Sequence, residues 1–250
     1  MTNFISFDGT RLAYTELGQG RPLLLLHGLF SSAHLNWIKF GTAAELVAAG
    51  HRLILPDLRG HGQSDAPHDP AHWPQDVLAQ DAEALIAHLG LKDFDIGGYS
   101  LGARTIIRLL ARGITRGPTP ARAILAGMGY EGIIGATGRS GFFLNVLANT
   151  GTFRPGSAEY MADAFLRQNK IDTAAMTHLL NAQTDTPADI VAHLETRTLV
   201  ICGEADQDNG SAQALAMALP NAAHVAIPGN HMSAVTKPEL GAAMAAWLAH

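Results

Sequence analysis

Asp95-Ile96-Gly97-Gly98-Tyr99-Ser100-Leu101-Gly102-Ala103-Arg104 is the stretch whose reading decides the rest of the chain. Its centre, Gly98-Tyr99-Ser100-Leu101-Gly102, is a G-x-S-x-G. A short apolar run with strand character leads into it (Phe94, Ile96), and a run with helical spacing leads out (Ala103, Ile106, Ile107, Leu110, Ala111). A serine between a strand and a helix sits on a sharp turn that lifts its hydroxyl above the sheet edge. Glycines on both sides leave room where a Cβ would clash with neighbouring backbone. The helix N-terminus offers free N–H groups to developing negative charge. A glycine-rich turn with a serine N-cap has the same local letters, so the flanking chain must decide.

Working outward, Pro22 to Leu26 is a continuous apolar run that ends in His27-Gly28-Leu29-Phe30. Such a run predicts a strand covered on both faces. Phe4, Ile5 and Phe7 and then Leu12, Tyr14 and Leu17 flank Asp8-Gly9 and read as a hairpin. His51 to Pro56 is a further strand, running into the polar loop Asp57-Leu58-Arg59-Gly60-His61-Gly62-Gln63-Ser64-Asp65. Helical stretches span roughly Trp37 to Ala49 and Gln75 to Leu89, closed by Gly50 and Gly90. Past the serine, Ala121 to Ala126, Thr196 to Ile201 and His224 to Ile227 read as strands, and Ala212 to Leu219 and Pro238 to Leu248 as helices. This alternation predicts an α/β fold with a mostly parallel twisted sheet flanked by helices and an antiparallel hairpin at its start.

The rhythm breaks after Gly127. Glycines at 129, 132, 135 and 138 open a stretch of short helices anchored by apolar residues. We read residues 131–187 as a helical cap or lid, inserted into a core made of residues 1–130 and 188–250.

The chain has 250 residues, 47% of them hydrophobic and 16% charged, enough apolar material for one sizeable core. The net charge of −5 with no basic cluster argues against nucleic acid as a partner. Its single cysteine, Cys202, lies in an apolar strand-like run and reads as a buried, inert thiol suited to a reducing compartment. Met1 to Leu12 has no apolar core of a targeting signal. The longest early aliphatic run, Leu23 to Leu26, is too short to span a bilayer. The expectation is a cytoplasmic protein with a small-molecule substrate and no membrane insertion; the sequence leaves the oligomeric state open.

Chemistry in open α/β sheets gathers at the carboxyl ends of the strands. Four informative loops fall there: Ser100, His27-Gly28-Leu29, Gly203-Glu204-Ala205-Asp206 and Pro228-Gly229-Asn230-His231. With the Asp57-x-Arg59-Gly60-His61-Gly62-x-Ser64 loop, and with His231 seven residues before Pro238, these pieces resemble the α/β-hydrolase superfamily, in its serine-triad form with a small helical cap. The resemblance runs from about residue 3 to the end and is loosest in the cap. It implies Ser100 as nucleophile, His231 as general base and Asp206 as the orienting carboxylate, with no metal and no organic cofactor. It further implies an oxyanion hole from the backbone N–H groups of Leu29 and Leu101. Asp208 and Glu204 are rivals for the acid, and Asn230 stands where a small residue commonly precedes the histidine. His27 and His61 read as braces for loops near the site.

The roles have their own chemical logic. A serine hydroxyl is a weak nucleophile until a base takes its proton. Imidazole accepts and returns a proton near neutral pH, and a carboxylate fixes its tautomer and stabilises the imidazolium. The implied activity is hydrolysis of a carboxylic ester, thioester or lactone through an acyl-enzyme. Hydrolysis of a carbon–carbon bond fits the same triad. The run Gly98 to Arg104 also resembles the elbow of the menaquinone-pathway lyases that eliminate pyruvate (SHCHC synthases). Their polyanionic substrate wants a basic pocket. Residues 131–187 hold four basic residues (Arg139, Arg154, Arg167, Lys170) against five acidic ones (Glu131, Glu159, Asp163, Asp172, Asp185). A non-catalytic ligand binder on the same fold is the remaining alternative. For the substrate pocket, the apolar residues Phe30, Met128, Phe142, Phe143, Met161 and Phe165 are the candidates, so a small to medium, largely apolar substrate is expected.

Overall fold

Alternating side chains at the N-terminus build an antiparallel hairpin from β1 (Thr2–Ile5) and β2 (Arg11–Leu17). The computed structural model describes residues 1–113, 118–169 and 171–250. Lys170, counted above among the basic residues of the stretch 131–187, lies outside the described residues. The apolar runs become β3 (Arg21–Leu26), β4 (His51–Pro56), β5 (Asp95–Tyr99), β6 (Arg122–Ala126), β7 (Arg197–Gly203) and β8 (Ala222–Ile227). They form one eight-stranded sheet in the order β1-β2-β4-β3-β5-β6-β7-β8. From β4 to β8 every pairing is parallel, so all these strands end on one side of the sheet. The strand order reverses at β3, between β4 and β5, and the crevice of an open α/β sheet lies at such a switch point. The loops after β3 and β5, carrying His27 to Phe30 and Ser100, flank it.

Two helical layers cover the sheet. On one face α1 (Thr42–Ala48) packs on α11 (Pro238–Leu248) over Leu23, Leu25, Ile124 and Leu199. On the other lie α2 (Val77–His88), α3 (Leu101–Ala111) and, against β7 and β8, α9 (Ala212–Ala218), over Leu24, Leu26, Ile96 and Leu125. Leu23, Leu24 and Leu25 are fully buried, as expected where both faces are covered. Between β6 and β7 run α4 (Tyr130–Ile134), α5 (Ala136–Ala148), α6 (Ala158–Gln168), α7 (Thr173–Asn181) and α8 (Ala188–Val191). Side-chain oxygens start several helices: Ser157 accepts from Tyr160 N, Asp172 from Ala175 N and Ser211 from Ala214 N. Among the described residues, no helix is long and apolar enough to cross a membrane.

One expected helix is divided. Instead of a single helix from Trp37 to Ala49, a π-helical turn spans His34–Ile38 and α1 begins after Gly41, whose φ is 93°. The turn puts Asn36 under the loop after β3, where its Oδ1 accepts from Gly28 N at 2.9 Å. A hydrogen bond to a neighbouring loop has outweighed regular helical spacing.

The loop after β4 is a brace rather than a surface turn. Arg59 is fully buried and donates to Asp81 of α2 and Asp8 of the hairpin turn. Ser6 also donates to Asp81. A guanidinium out of water requires such pairing, and removing one partner would strand a buried charge.

Candidate active site

Ser100 stands between β5 and α3 with φ 52° and ψ −108°, a conformation that L side chains rarely hold. The tight packing of the turn requires its glycines. A Cβ on Gly98 would fall 2.4 Å from the carbonyl carbon of Gly102, and one on Gly102 would fall 2.1 Å from the carbonyl oxygen of Leu26. The turn is therefore pressed against its own helix and against β3, and the serine hydroxyl is directed off the sheet end.

His231 opens the short helix α10 (His231–Ala234) just after β8. Asn230, which stands where a smaller residue was expected, has a structural task. Its side chain accepts from Met232 N and Ser233 N, and Ser233 Oγ accepts from Asn230 N, which closes a reciprocal cap. This holds the histidine backbone in place. Tyr99, inside the serine turn, donates its hydroxyl to the His231 carbonyl at 2.7 Å and so ties the two loops together.

The structure brings Ser100, His231 and Asp206 into one line. His231 Nε2 lies 3.0 Å from Ser100 Oγ, and His231 Nδ1 lies 2.9 Å from Asp206 Oδ2. Asp206 is buried and also accepts from Asp208 N at 3.0 Å and from the Cys202 thiol at 3.5 Å. Burial works against its charge, but the hydrogen bond and charge of His231 and these further donors outweigh it, and its carboxyl sits below the ordinary range. An ionised Asp206 requires the proton on Nδ1, which leaves Nε2 free to accept the serine proton. Cys202 is inert here: burial first, then Asp206, pushes its thiol up to about 12. The two rivals for the acid lie elsewhere. Asp208 is half exposed and pairs with Arg139 of α5 at 2.9 Å, and Glu204 is exposed.

The loop carrying Leu29 is held from below by four side chains. Leu58 N donates to His27 Nε2 at 2.9 Å, and Phe30 N donates to His61 Nε2 at 3.1 Å. Asp57 accepts from Ala33 N, and Asn36 from Gly28 N. Phe30 adopts φ 58° in this frame. The Phe30 N–H is taken by His61, no backbone acceptor meets the Leu29 N–H among the described residues, and Gly28 just before it packs on Tyr99 and Ser100. Leu101 is the first residue of α3, so its N–H has no acceptor within its own helix. Two backbone donors next to a serine hydroxyl can hold an oxyanion.

These contacts set the protonation of the two bracing histidines. Each ring nitrogen that accepts from a backbone N–H must be bare, and the other faces a carbonyl: His27 Nδ1 that of Gly28, His61 Nδ1 that of Arg59. Burial, the leading cause for both, pushes His27 down to about 4 and His61 down to about 3. Unfolded, both rings would take a proton near the ordinary value of 6.5. The unfolded chain thus binds more protons between about pH 6.5 and 4, and stability falls as pH drops through that window. The slope is about 1.4 kcal/mol per pH unit for each histidine. Urea midpoints measured from about pH 7.5 to 5 check this. A midpoint that stays flat below pH 6.5 would contradict the neutral rings.

Of the pocket candidates, Phe30, Phe142 and Phe143 come together. Phe143 meets Phe30 edge-on at 5.3 Å and Phe142 at 5.1 Å, so α5 reaches the loop beside Leu29. Phe165 is partly buried against the core on the α2–α3 side of the sheet, with no ring contact to these three. Met128 is fully buried, its sulfur packed under Gly132. Met161 needs correction: 63% of it is exposed, because α6 turns Leu166 inward and Met161 outward. Sequence reasoning passed over Tyr99 as a latch and Arg139 as the partner of Asp208. It also passed over Glu131, whose Oε2 accepts from Ser211 N beyond the acid loop. A tyrosine next to the serine was the only local hint of these long-range contacts.

Comparison with known proteins agrees with the fold. A family model for the α/β hydrolase fold matches residues 21–125. A non-heme haloperoxidase from Rhodococcus erythropolis is 30% identical over 231 residues, covering 80% of each chain. A hydrolase from Pseudomonas aeruginosa PA01 superposes with a TM-score of 0.80 over 100% of this chain and 98% of its own, at 22% identity. The esterase RhEst1 from Rhodococcus sp. ECU1013 superposes with a TM-score of 0.72 over 99% of this chain and 98% of its own, at 26% identity.

Proposed function

The chain belongs to the α/β-hydrolase family of enzymes, and from that premise we propose that it is a serine hydrolase of carboxylic esters, thioesters or lactones. The observation that carries this reading is the unbroken line from Asp206 through His231 to Ser100, with contacts of 2.9 and 3.0 Å. In it, Ser100 Oγ attacks the substrate carbonyl while its proton passes to His231 Nε2. Asp206 holds the tautomer and stabilises the imidazolium. The N–H groups of Leu29 and Leu101 receive the oxyanion. His231 then gives the proton to the leaving group, and a water, activated by the same nitrogen, frees the acyl group. A serine at this position argues against the aspartate-nucleophile chemistry of epoxide hydrolases and haloalkane dehalogenases.

Residues 131–187 act as the cap, and Phe30, Phe142 and Phe143 form the apolar wall for a small to medium acyl group. The one buried thiol, Cys202, suits a cytoplasmic enzyme. The test is kcat/KM across p-nitrophenyl esters of increasing acyl length and a matched series ending in a carboxylate. Each added methylene should raise kcat/KM up to about fourfold, from about 0.8 kcal/mol of burial, until the wall is filled. The carboxylated series should be poorer throughout. A clear preference for it would overturn the apolar reading and favour an anionic substrate, as in the lyase alternative. The similarity to a haloperoxidase adds one acceptor to the assay. Hydrogen peroxide in place of water would release the acyl group as a peracid and return Ser100 unchanged.

A further inference from the structure

Arg139 stands one turn before Phe143 on the same face of α5, and its guanidinium is engaged twice. It grips one residue of the acid loop at two points: Nη1 donates to the Asp208 carbonyl at 2.6 Å and Nη2 to the Asp208 carboxylate at 2.9 Å. It also lies over the Phe143 ring, 5.6 Å from the centroid. Among the described residues, no other side chain of α5 hydrogen-bonds to the loop 204–211. A lone half-exposed ion pair is worth little. A planar fork that holds two acceptors and also covers a ring is stiffer, because each contact sets the orientation that the other needs.

The contacts continue in both directions. Asp208 N donates to Asp206 Oδ1 at 3.0 Å, so the residue that Arg139 holds also holds the carboxylate facing His231. On the other side Phe143 meets Phe30 edge-on at 5.3 Å, and Phe30 follows Leu29. Asp206, Asp208, Arg139, Phe143 and Phe30 thus form one line of contacts from the acid loop, through α5, to the loop after β3. The chain just before α5 is tied to the acid loop separately. Gly132 N donates to the Asn209 carbonyl at 2.9 Å, Tyr130 N to the Ser211 carbonyl at 3.0 Å, and Ser211 N to Glu131 Oε2 at 2.8 Å. With that root fixed, what remains to be set is how the half-buried Phe143 leans toward Phe30.

We infer that Arg139 is the positioning residue that sets acyl-length selectivity, acting through Phe143 and anchored by Asp208. The inference rests on the hydrolase reading above and adds the device that holds its apolar wall. A ring pinned between a guanidinium and Phe30 presents a fixed surface to each added methylene. Released, the same ring can swing away, and the gain per methylene shrinks.

The test is the ratio of kcat/KM for p-nitrophenyl hexanoate over acetate, measured on the full chain. Arg139→Met keeps the stem that packs on α5 and removes the fork. It should lower the ratio about fivefold, because an exposed cation–π contact and a half-exposed pair are each worth a few-fold. The loss should fall on KM for the hexanoate, with kcat on the acetate within about threefold of the parent. Arg139→Lys should restore part of the ratio. Asp208→Ala, which keeps the backbone N–H to Asp206, should lower the ratio about threefold, and the double variant should be no worse than Arg139→Met alone. An unchanged ratio in Arg139→Met would overturn the proposal, even if all esters slowed alike or the urea midpoint fell, since that is what a merely structural role produces. Additive losses in the double variant would also overturn it. A parent that turns over neither ester but labels with a fluorophosphonate would count against the hydrolase reading instead. The ratio of labelling rates for long-chain over short-chain alkyl fluorophosphonates would then judge Arg139, with the same fivefold fall expected and an unchanged ratio overturning the proposal.

Discussion

Replacing Ser100 with alanine should lower kcat by roughly 10⁴–10⁶, with no loss of folded stability. The size follows from the role. Without Oγ there is no acyl-enzyme, and only the oxyanion donors and substrate positioning remain. Stability should be unaffected because alanine keeps the same Cβ on the same strained backbone, φ 52°. A control makes the variant more informative. Ser100→Gly should be equally inactive yet more stable, since glycine relieves a conformation that costs roughly 1–3 kcal/mol. Steady-state kinetics and urea unfolding on the same preparations check both. Activity surviving within tenfold of wild type would remove Ser100 from the mechanism.

Asp206→Asn should cost about 10⁴ in kcat. An amide offers Nδ1 of His231 a donor where it now meets an acceptor, so the ring is held in the wrong tautomer and Nε2 cannot take the serine proton. Asp208→Asn should cost less than about tenfold, because Asp208 faces Arg139 at the protein surface and a half-exposed pair of this kind is worth ~1 kcal/mol or less. The comparison must be made at matched stability. If Asp208→Asn were the more damaging change, the acid would have to be reassigned.

The parts of the fold that were legible in the sequence are those governed by local rules. Pro22 to Leu26 and Thr198 to Cys202 declare buried strands because a strand covered on both faces has no polar position to alternate with. The G-x-S-x-G declares its turn because Gly98 and Gly102 have no room for a Cβ. Ser100, Asp206 and His231 could be named because the loops that carry them resemble the α/β-hydrolase motifs, and each of these loops follows a strand at the same end of a parallel sheet. What stayed hidden depends on partners distant in the chain. The neutral state of His27 and His61 is set by amide groups 31 residues away in each case. Asp208 is withdrawn from the histidine by Arg139, 69 residues earlier. The π-helical turn at His34–Ile38 follows from a bond between Asn36 and Gly28. Met161 shares its composition with Phe142 and Phe143, and only the rotation of α6 turns it to solvent.

Reaction of the protein with a fluorophosphonate, followed by peptide mass spectrometry, tests the central claim most directly. Such a reagent is trapped by a serine hydroxyl that has a working base beside it and oxyanion donors in front of it, whatever the natural substrate. We predict one adduct per chain, on the peptide carrying Ser100, with labelling abolished in Ser100→Ala and strongly slowed in the Asp206→Asn variant. Labelling on Ser64 or Ser233 instead, or an unlabelled Ser100 in folded protein, would contradict it.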